Sequence, residues 1–409
     1  MMPKNITIRN SIKFITPVIA AGIAGWFGFE STLFDGPGIE PQRFMASVFV
    51  LVWLWRFIPN RFCGWLTLAS WHVGAASCVP QEWWLFFHNE WGWLILLGWG
   101  LIITIPLLVL PERWRTAGLC LGSLIAAITP FGMANPLLAA AAFFPGGQWL
   151  GLFLAALLLA LPAVRNEKAA ISILIGFCVI GTSLHMQVPA LTPPTDTWAV
   201  QTNLGKHPSL PSAWFERQVD VTSRVNADIE AGATLIVTPE GTVDVWDGWA
   251  APLWRKTVQI AKERDAIVLL GIYRQAPTGE WQNGLLSLGD GIFYPSTMPM
   301  PVGMWHPWQK TAHYPMALDA IRRIIPTPHG DAAYLLCYEE LLLWPLAAKM
   351  VGNAPRLLIT SANQWFTDKR TSVAQSRSVR LQAGLWGLPL LRSVNYAKPS
   401  GSRLLPGGA

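Results

Sequence analysis

The sequence predicts a membrane bundle of about seven helices followed by one layered α/β domain, and three observations carry that prediction. Charge is scarce: 13% of the 409 residues are Asp, Glu, Lys or Arg and 52% are hydrophobic, against roughly 25% charged in an ordinary soluble domain. The scarcity is concentrated before residue 190, which holds 10 of the 30 Lys/Arg and 7 of the 24 Asp/Glu. Beyond that point apolar runs alternate with amphipathic helical patterns, at a charge density suited to a water-exposed domain with a full core. Two domains are therefore expected, 1–190 and 195–409, joined by a Pro/Thr-rich linker.

Seven apolar stretches occupy the first part, at 12–29, 44–57, 62–79, 91–110, 117–144, 150–164 and 169–188. Most approach the ~18–20 residues that a helix needs to cross a bilayer. The second and sixth are short. The fifth contains Pro130 and Pro136; proline lacks the backbone N–H a helix interior needs, so a kinked helix or a broken pair is expected there. The basic start (Lys4, Arg9, Lys13) is followed at once by further apolar spans, which marks a retained anchor rather than a cleaved signal peptide.

Lys and Arg in short loops set orientation. With the N-terminus inside, the inner loops hold Arg56 and Arg61, then Arg113 and Arg115, then Arg165 and Lys168. The outer loops are acidic or uncharged apart from Arg43. Seven crossings from an inside start place the α/β domain outside the cytoplasm. Neither half carries a basic run, so nucleic-acid binding is not indicated. Twelve of the 23 Trp fall in the bundle, several near span ends, as interfacial belts require. Four of five cysteines lie in apolar stretches, where Cys is a small buried hydrophobe; Cys337 alone lies in the α/β part.

In that part, strands are expected at 198–202, 234–238, 266–272, 284–288, 333–337, 357–361 and 389–394, and helices at 212–231, 249–264, 340–351 and 371–386. Three local sequences then matter. Leu235-Ile236-Val237-Thr238-Pro239-Glu240 puts a carboxylate just past an apolar strand; Trp308-Gln309-Lys310 puts a lysine in an aromatic loop; Leu335-Leu336-Cys337-Tyr338-Glu339 puts a thiol at another strand exit. Singly, each has an ordinary alternative: a packing cysteine, a solvated turn glutamate, a surface lysine. The loop 293–308, with four prolines and three methionines, is expected to be either a bland packed loop or a lid that admits an acyl chain.

Together, and in this order, the three resemble the catalytic Glu, Lys and Cys of the nitrilase superfamily of carbon–nitrogen hydrolases, over roughly residues 197–395. Val200-Gln201-Thr202-Asn203, Asn363-Gln364-Trp365-Phe366 and Leu391-Arg392-Ser393-Val394-Asn395 echo the same family. A helical bundle leading into such a domain is similar to bacterial apolipoprotein N-acyltransferase, and the whole arrangement to the TraB family of plasmid conjugal-transfer proteins. The resemblance implies an αββα nitrilase-like sandwich in the periplasm, anchored in the inner membrane and needing no cofactor or metal. It implies a phospholipid acyl donor and an amine acceptor, with conjugation-machinery proteins as further partners.

The chemistry suits these residue types. A cysteine is a nucleophile as thiolate, so it needs a base; Glu240 would take the thiol proton and return it to the leaving group. Lys310 would stabilise the oxyanion of the tetrahedral intermediate. A Cys337 thioester could then pass its acyl group to water or to an amine. Two other readings stay open: a simple tethered amidase, and a non-catalytic conjugation factor whose triad is vestigial. The family's second glutamate, about eight residues after the lysine, falls here on Leu318, with Asp319 adjacent, and the chain stops soon after Asn395.

Overall fold

The structure, a computed structural model, describes residues 8–31, 40–187, 191–276, 279–308 and 314–397. They form two compact units. Among the described residues, the helical unit holds those up to 187 together with 341–344 and 368–387, and the α/β unit holds the remainder.

The helical unit runs α1 (Ile8–Phe29), α2 (Glu40–Trp55), α3 (Arg61–Ala75), α4 (Val79–Phe87), α5 (Gly92–Ile103), α6 (Pro106–Val109), α7 (Gly118–Ala127), α8 (Ala139–Phe143), α9 (Gln148–Ala160) and α10 (Glu167–Gln187). Among the described residues, two stretches are long and apolar enough to cross a bilayer, Gly92–Val109 and Glu167–Met186; Lys13–Phe29 and Gln148–Ala163 are shorter and apolar. The expected fifth span is a broken pair. α7 ends at Ala127, and the chain resumes through a 3₁₀ turn at Pro136–Leu138 into α8, the two prolines each removing a helical hydrogen bond. α4 stands where a loop was expected, started by Pro80 in its first turn and ended by His88 in the left-handed conformation.

Small residues let α1 and α3 approach closely. A side chain at Gly25 would overlap the Trp71 carbonyl, and one at Gly74 would overlap Gly22. Outward faces are apolar: Ile15, Ile19 and Ile23 form an exposed i, i+4 stripe on α1, and Ile175, Val179 and Ile180 are exposed on α10.

The α/β unit contains two sheets. The first has the order β1-β3-β4-β5-β6, formed by β1 (Thr197–Ala199), β3 (Leu235–Val237), β4 (Ile267–Gln275), β5 (Trp281–Ser287) and β6 (Phe293–Pro295). β1, β3 and β4 are parallel, and β4-β5-β6 is an antiparallel meander. The second sheet, wholly parallel, has the order β2-β9-β8-β7, from β2 (Gln201–Thr202), β7 (Ala332–Leu336), β8 (Leu357–Gln364) and β9 (Leu390–Tyr396). The expected strand 198–202 is thus shared between the sheets. It crosses at Val200, whose N–H still bonds the Val237 carbonyl of the first sheet.

Alternation fixes the layers. Leu235, Val237 and Leu269 point between the sheets, where they meet Tyr334, Leu336, Leu357, Ile359 and Leu391 of the second sheet. Ile236, Val268, Leu270 and Ile272 point the other way, against α11 (Pro211–Glu230) and α12 (Ala250–Glu263). Trp254 of α12 is fully buried there and donates its Nε1–H to Gln218 of α11 at 3.3 Å. After β7 come a 3₁₀ turn (Cys337–Leu341) and α13 (Leu343–Lys349).

One helix departs from the sequence pattern. α14 (Lys369–Trp386) lies between β8 and β9 in the chain but packs in the helical unit. Its buried Arg377 donates to the carbonyls of Phe29 and Ser31, each at 2.8 Å, and Arg380 forks onto Glu40 at 3.1 and 2.6 Å. At its start, Asp368 caps Thr371 and donates its own N–H to Glu82 at 2.9 Å.

Candidate active site

The parallel strands β3 and β7 end on the same rim, where side chains leave the ladder and become available for chemistry. Past β3 the chain turns at Thr238-Pro239-Glu240-Gly241. Thr238 anchors the turn, its hydroxyl accepting the Gly271 N–H at 3.0 Å and its carbonyl accepting Ser361 Oγ at 2.9 Å. Gly271 and Gly241 leave the space this needs. A Cβ at Gly271 would overlap the Pro239 carbonyl, and one at Gly241, whose φ is +61°, would meet the Tyr273 ring at 2.8 Å.

The turn delivers the Glu240 carboxyl to a fully enclosed position. Oε1 accepts Asn283 Nδ2 at 2.5 Å, Oε2 accepts the Asn363 N–H at 3.1 Å, and the group shares a side-chain hydrogen bond with Cys337. Burial costs the charged form its hydration, and these bonds only partly restore it. The result is a carboxyl lifted from its ordinary 4.5 to about 7.

Cys337 is the first residue after β7 and sits at φ +44°. For a residue with a Cβ that left-handed conformation is strained, and it persists only where the surroundings enforce it. Burial pushes the Cys337 thiol well above its ordinary range, and the adjacent Glu240 charge pushes it further. The pair therefore rests as thiol plus carboxyl or carboxylate. Ionisation of sulfur goes with transfer of its proton to Glu240, as a base of this strength next to a nucleophile allows.

The neighbourhood is polar and tied down. Asn395 of β9 donates to the Asn363 side chain at 2.9 Å and accepts Thr202 Oγ1 at 2.8 Å. Tyr273 of β4 hydrogen-bonds the Asn363 side chain, and its hydroxyl is pushed up by burial and by the charge of Glu240. Glu339 accepts three backbone N–H groups, from Leu336, Thr297 and Met298, at 2.6–3.0 Å. It thereby links the turn after Cys337 to the segment after β6.

The structure thus brings two of the three sequence candidates together, Glu240 and Cys337. Lys310 lies outside the described residues. Leu318 is 54% exposed in a short 3₁₀ turn with Asp319. The loop 293–308 divides: residues 293–299 are interior, with β6 at their start, and Trp308 is 66% exposed. Sequence reasoning missed Asn283 and Tyr273. Asn283 left no signal, because the expected strand began after it, at 284.

No family model matches the chain. Solved structures with a similar fold over half of it are carbon–nitrogen hydrolases of the nitrilase superfamily. One is a carbon–nitrogen hydrolase from Helicobacter pylori G27, with 14% identity, a TM-score of 0.35, and coverage of 50% of this chain and 75% of that one. Another is an amidase of the nitrilase superfamily from Nesterenkonia sp. AN1, with 15% identity, a TM-score of 0.34, and coverage of 50% and 79%.

Nearly full-length similarity is to two proteins named for conjugal transfer. The conjugal transfer protein TraB of Agrobacterium fabrum is 28% identical over 92% of this chain and 91% of its own. The probable conjugal transfer protein TraB of Sinorhizobium fredii is 26% identical over 97% and 98%.

Proposed function

We propose that the chain is a membrane-anchored enzyme of the carbon–nitrogen hydrolase type that transfers or hydrolyses an acyl group through a Cys337 thioester, in the service of plasmid conjugal transfer. The observation that carries the reading is the hydrogen bond between Cys337 and Glu240, a strained nucleophile joined to an enclosed base. Glu240 removes the thiol proton as sulfur attacks the acyl carbonyl, and the C=O electron pair moves to oxygen. The oxyanion is stabilised by Lys310, a role assigned to it on the resemblance. Collapse expels the leaving amine or alcohol with the proton from Glu240 and leaves the thioester. Water or a second amine, deprotonated by Glu240, then takes the acyl group and frees the thiol.

The helical unit supports the setting. Its outward apolar faces and its two bilayer-length stretches support a multi-pass bundle in the bacterial inner membrane. The basic inner loops support a periplasmic α/β unit. A lipid acyl donor and an amine acceptor suit that location.

The test is intact-mass analysis of the protein purified from its own membrane. An acyl adduct removed by hydroxylamine and mapped to Cys337 is expected. No adduct with any lipid, ester or amide, together with wild-type conjugation by a Cys337→Ala variant, would overturn the enzymatic reading in favour of a scaffold.

A further inference from the structure

Directly behind Cys337 lies an ion pair that the reaction above does not use. Glu340, three residues after the cysteine, is fully buried. Its two oxygens accept Arg392 Nε at 3.0 Å and Nη2 at 2.8 Å, in the parallel fork that arginine makes with a carboxylate. Arg392 stands on β9, beside Thr360 of β8. It is itself held, its carbonyl accepting Gln201 Nε2 at 2.5 Å.

Two features give the pair a role beyond packing. The turn it holds contains the left-handed Cys337, which local preference alone would not maintain. Glu339 fixes that turn toward the segment after β6, and Glu340 fixes it toward β9. The second feature is charge. Among the described residues, the ionisable groups facing the thiol are Glu240 after β3, Glu340 in its own turn, Tyr273 of β4 and Arg392 of β9. Without Arg392, the Glu340 carboxylate would stand bare against the thiolate that forms as Glu240 takes the proton.

We propose that Glu340 and Arg392 are positioning residues for Cys337, a charge-neutral pair that holds the strained turn and cancels a carboxylate charge that would otherwise disfavour the thiolate. The inference rests on Cys337 being the nucleophile. It is tested through thiol reactivity, which needs no acyl substrate, so the two can fail separately.

The experiment measures the rate of Cys337 alkylation by iodoacetamide against pH, in full-length protein in membranes, with the site read by peptide mass spectrometry. Arg392→Gln bares Glu340 and should raise the pH midpoint by roughly one unit, about tenfold in rate below it, the effect of removing one nearby opposite charge. Glu340→Gln bares Arg392 and should move the midpoint the opposite way. The double variant Glu340→Gln/Arg392→Gln is neutral again and should return close to wild type. Arg392→Lys keeps the charge without the fork; it should hold the midpoint near wild type while lowering acyl turnover, and it serves where Arg392→Gln fails to fold. Single variants that shift the midpoint in the same direction, or a double variant without recovery, would reduce the pair to a structural brace. An intact labelling pattern with no acyl adduct would refute the nucleophile's role and leave the pair standing.

Discussion

Replacing Glu240 with glutamine should stabilise the protein at alkaline pH, even as it removes the base. The carboxyl titrates near 4.5 in the unfolded chain and at about 7 in the folded one. Because the folded pKa is raised, the folded state holds its proton over a range where the unfolded state has released it. Stability therefore falls as pH rises from below 4.5 and reaches its full loss above about 7. At ~1.4 kcal/mol per pH unit, the gap corresponds to about 3 kcal/mol. Glutamine cannot ionise, so it escapes this loss, while any cost in its bonds to Asn283 and Asn363 is independent of pH. The measurable quantity is thus the change with pH in the melting difference between variant and wild type.

Thermal unfolding of the full chain in detergent, followed from pH 5 to pH 8, should show that difference moving in the variant's favour. About 2.5 kcal/mol of the loss falls between these two pH values, so the gain should be roughly 5–10 °C, at about 2–4 °C per kcal/mol for a unit of this size. A constant difference would refute the enclosed carboxyl with its raised titration. A difference that moves against the variant as pH rises would refute it too, and would place a cation at the carboxylate, where the resemblance puts Lys310.

Three further outcomes follow. Acyl turnover should rise with pH through about 7, as Glu240 becomes the free base, and Glu240→Gln should flatten that limb with a loss of ~10²–10⁴-fold; a pH-rate profile checks both. Trp254→Ala should cost roughly 3–5 kcal/mol, because the indole is fully buried between α12 and the first sheet, and chemical denaturation reads it. A reporter active only in the periplasm, fused after Ala409, should be active, and activity of a cytoplasmic reporter at the same junction would reverse the assigned topology.

The sequence disclosed the parts of the α/β unit that obey a simple period. β3 and β7 are apolar runs buried on both faces, and Glu240 and Cys337 stand out as the first reactive residues past them. What stayed hidden depends on pairing between distant segments. Val200 divides one apolar run between two sheets, which no local pattern encodes. β6 carries Pro295 and reads as a loop, yet it closes the meander at the sheet edge, where proline is tolerated. Asn283 becomes meaningful only when β5 brings it to a carboxyl 43 residues earlier in the chain. The helix at 371–386 was legible, but the placement of α14 in the helical unit was not, for a different reason. It buries Gln375, Arg377, Ser378 and Gln382 along with its apolar residues, so its partner surface is polar and leaves no apolar stripe to assign.

That last helix decides when the molecule can be finished. Phe29, Ser31, Glu40 and Glu82 emerge from the ribosome hundreds of residues before Arg377, Arg380 and the Asp368 N–H that satisfy them. Translation must pass through nearly the whole α/β sequence before the helical unit receives its last member. Until then the Phe29 carbonyl and the Glu40 and Glu82 carboxylates lack these partners and are met by water instead. The two units are interleaved in a single chain and could not be shuffled between genes as separate cassettes. A break anywhere between residues 197 and 368 would leave both of them incomplete.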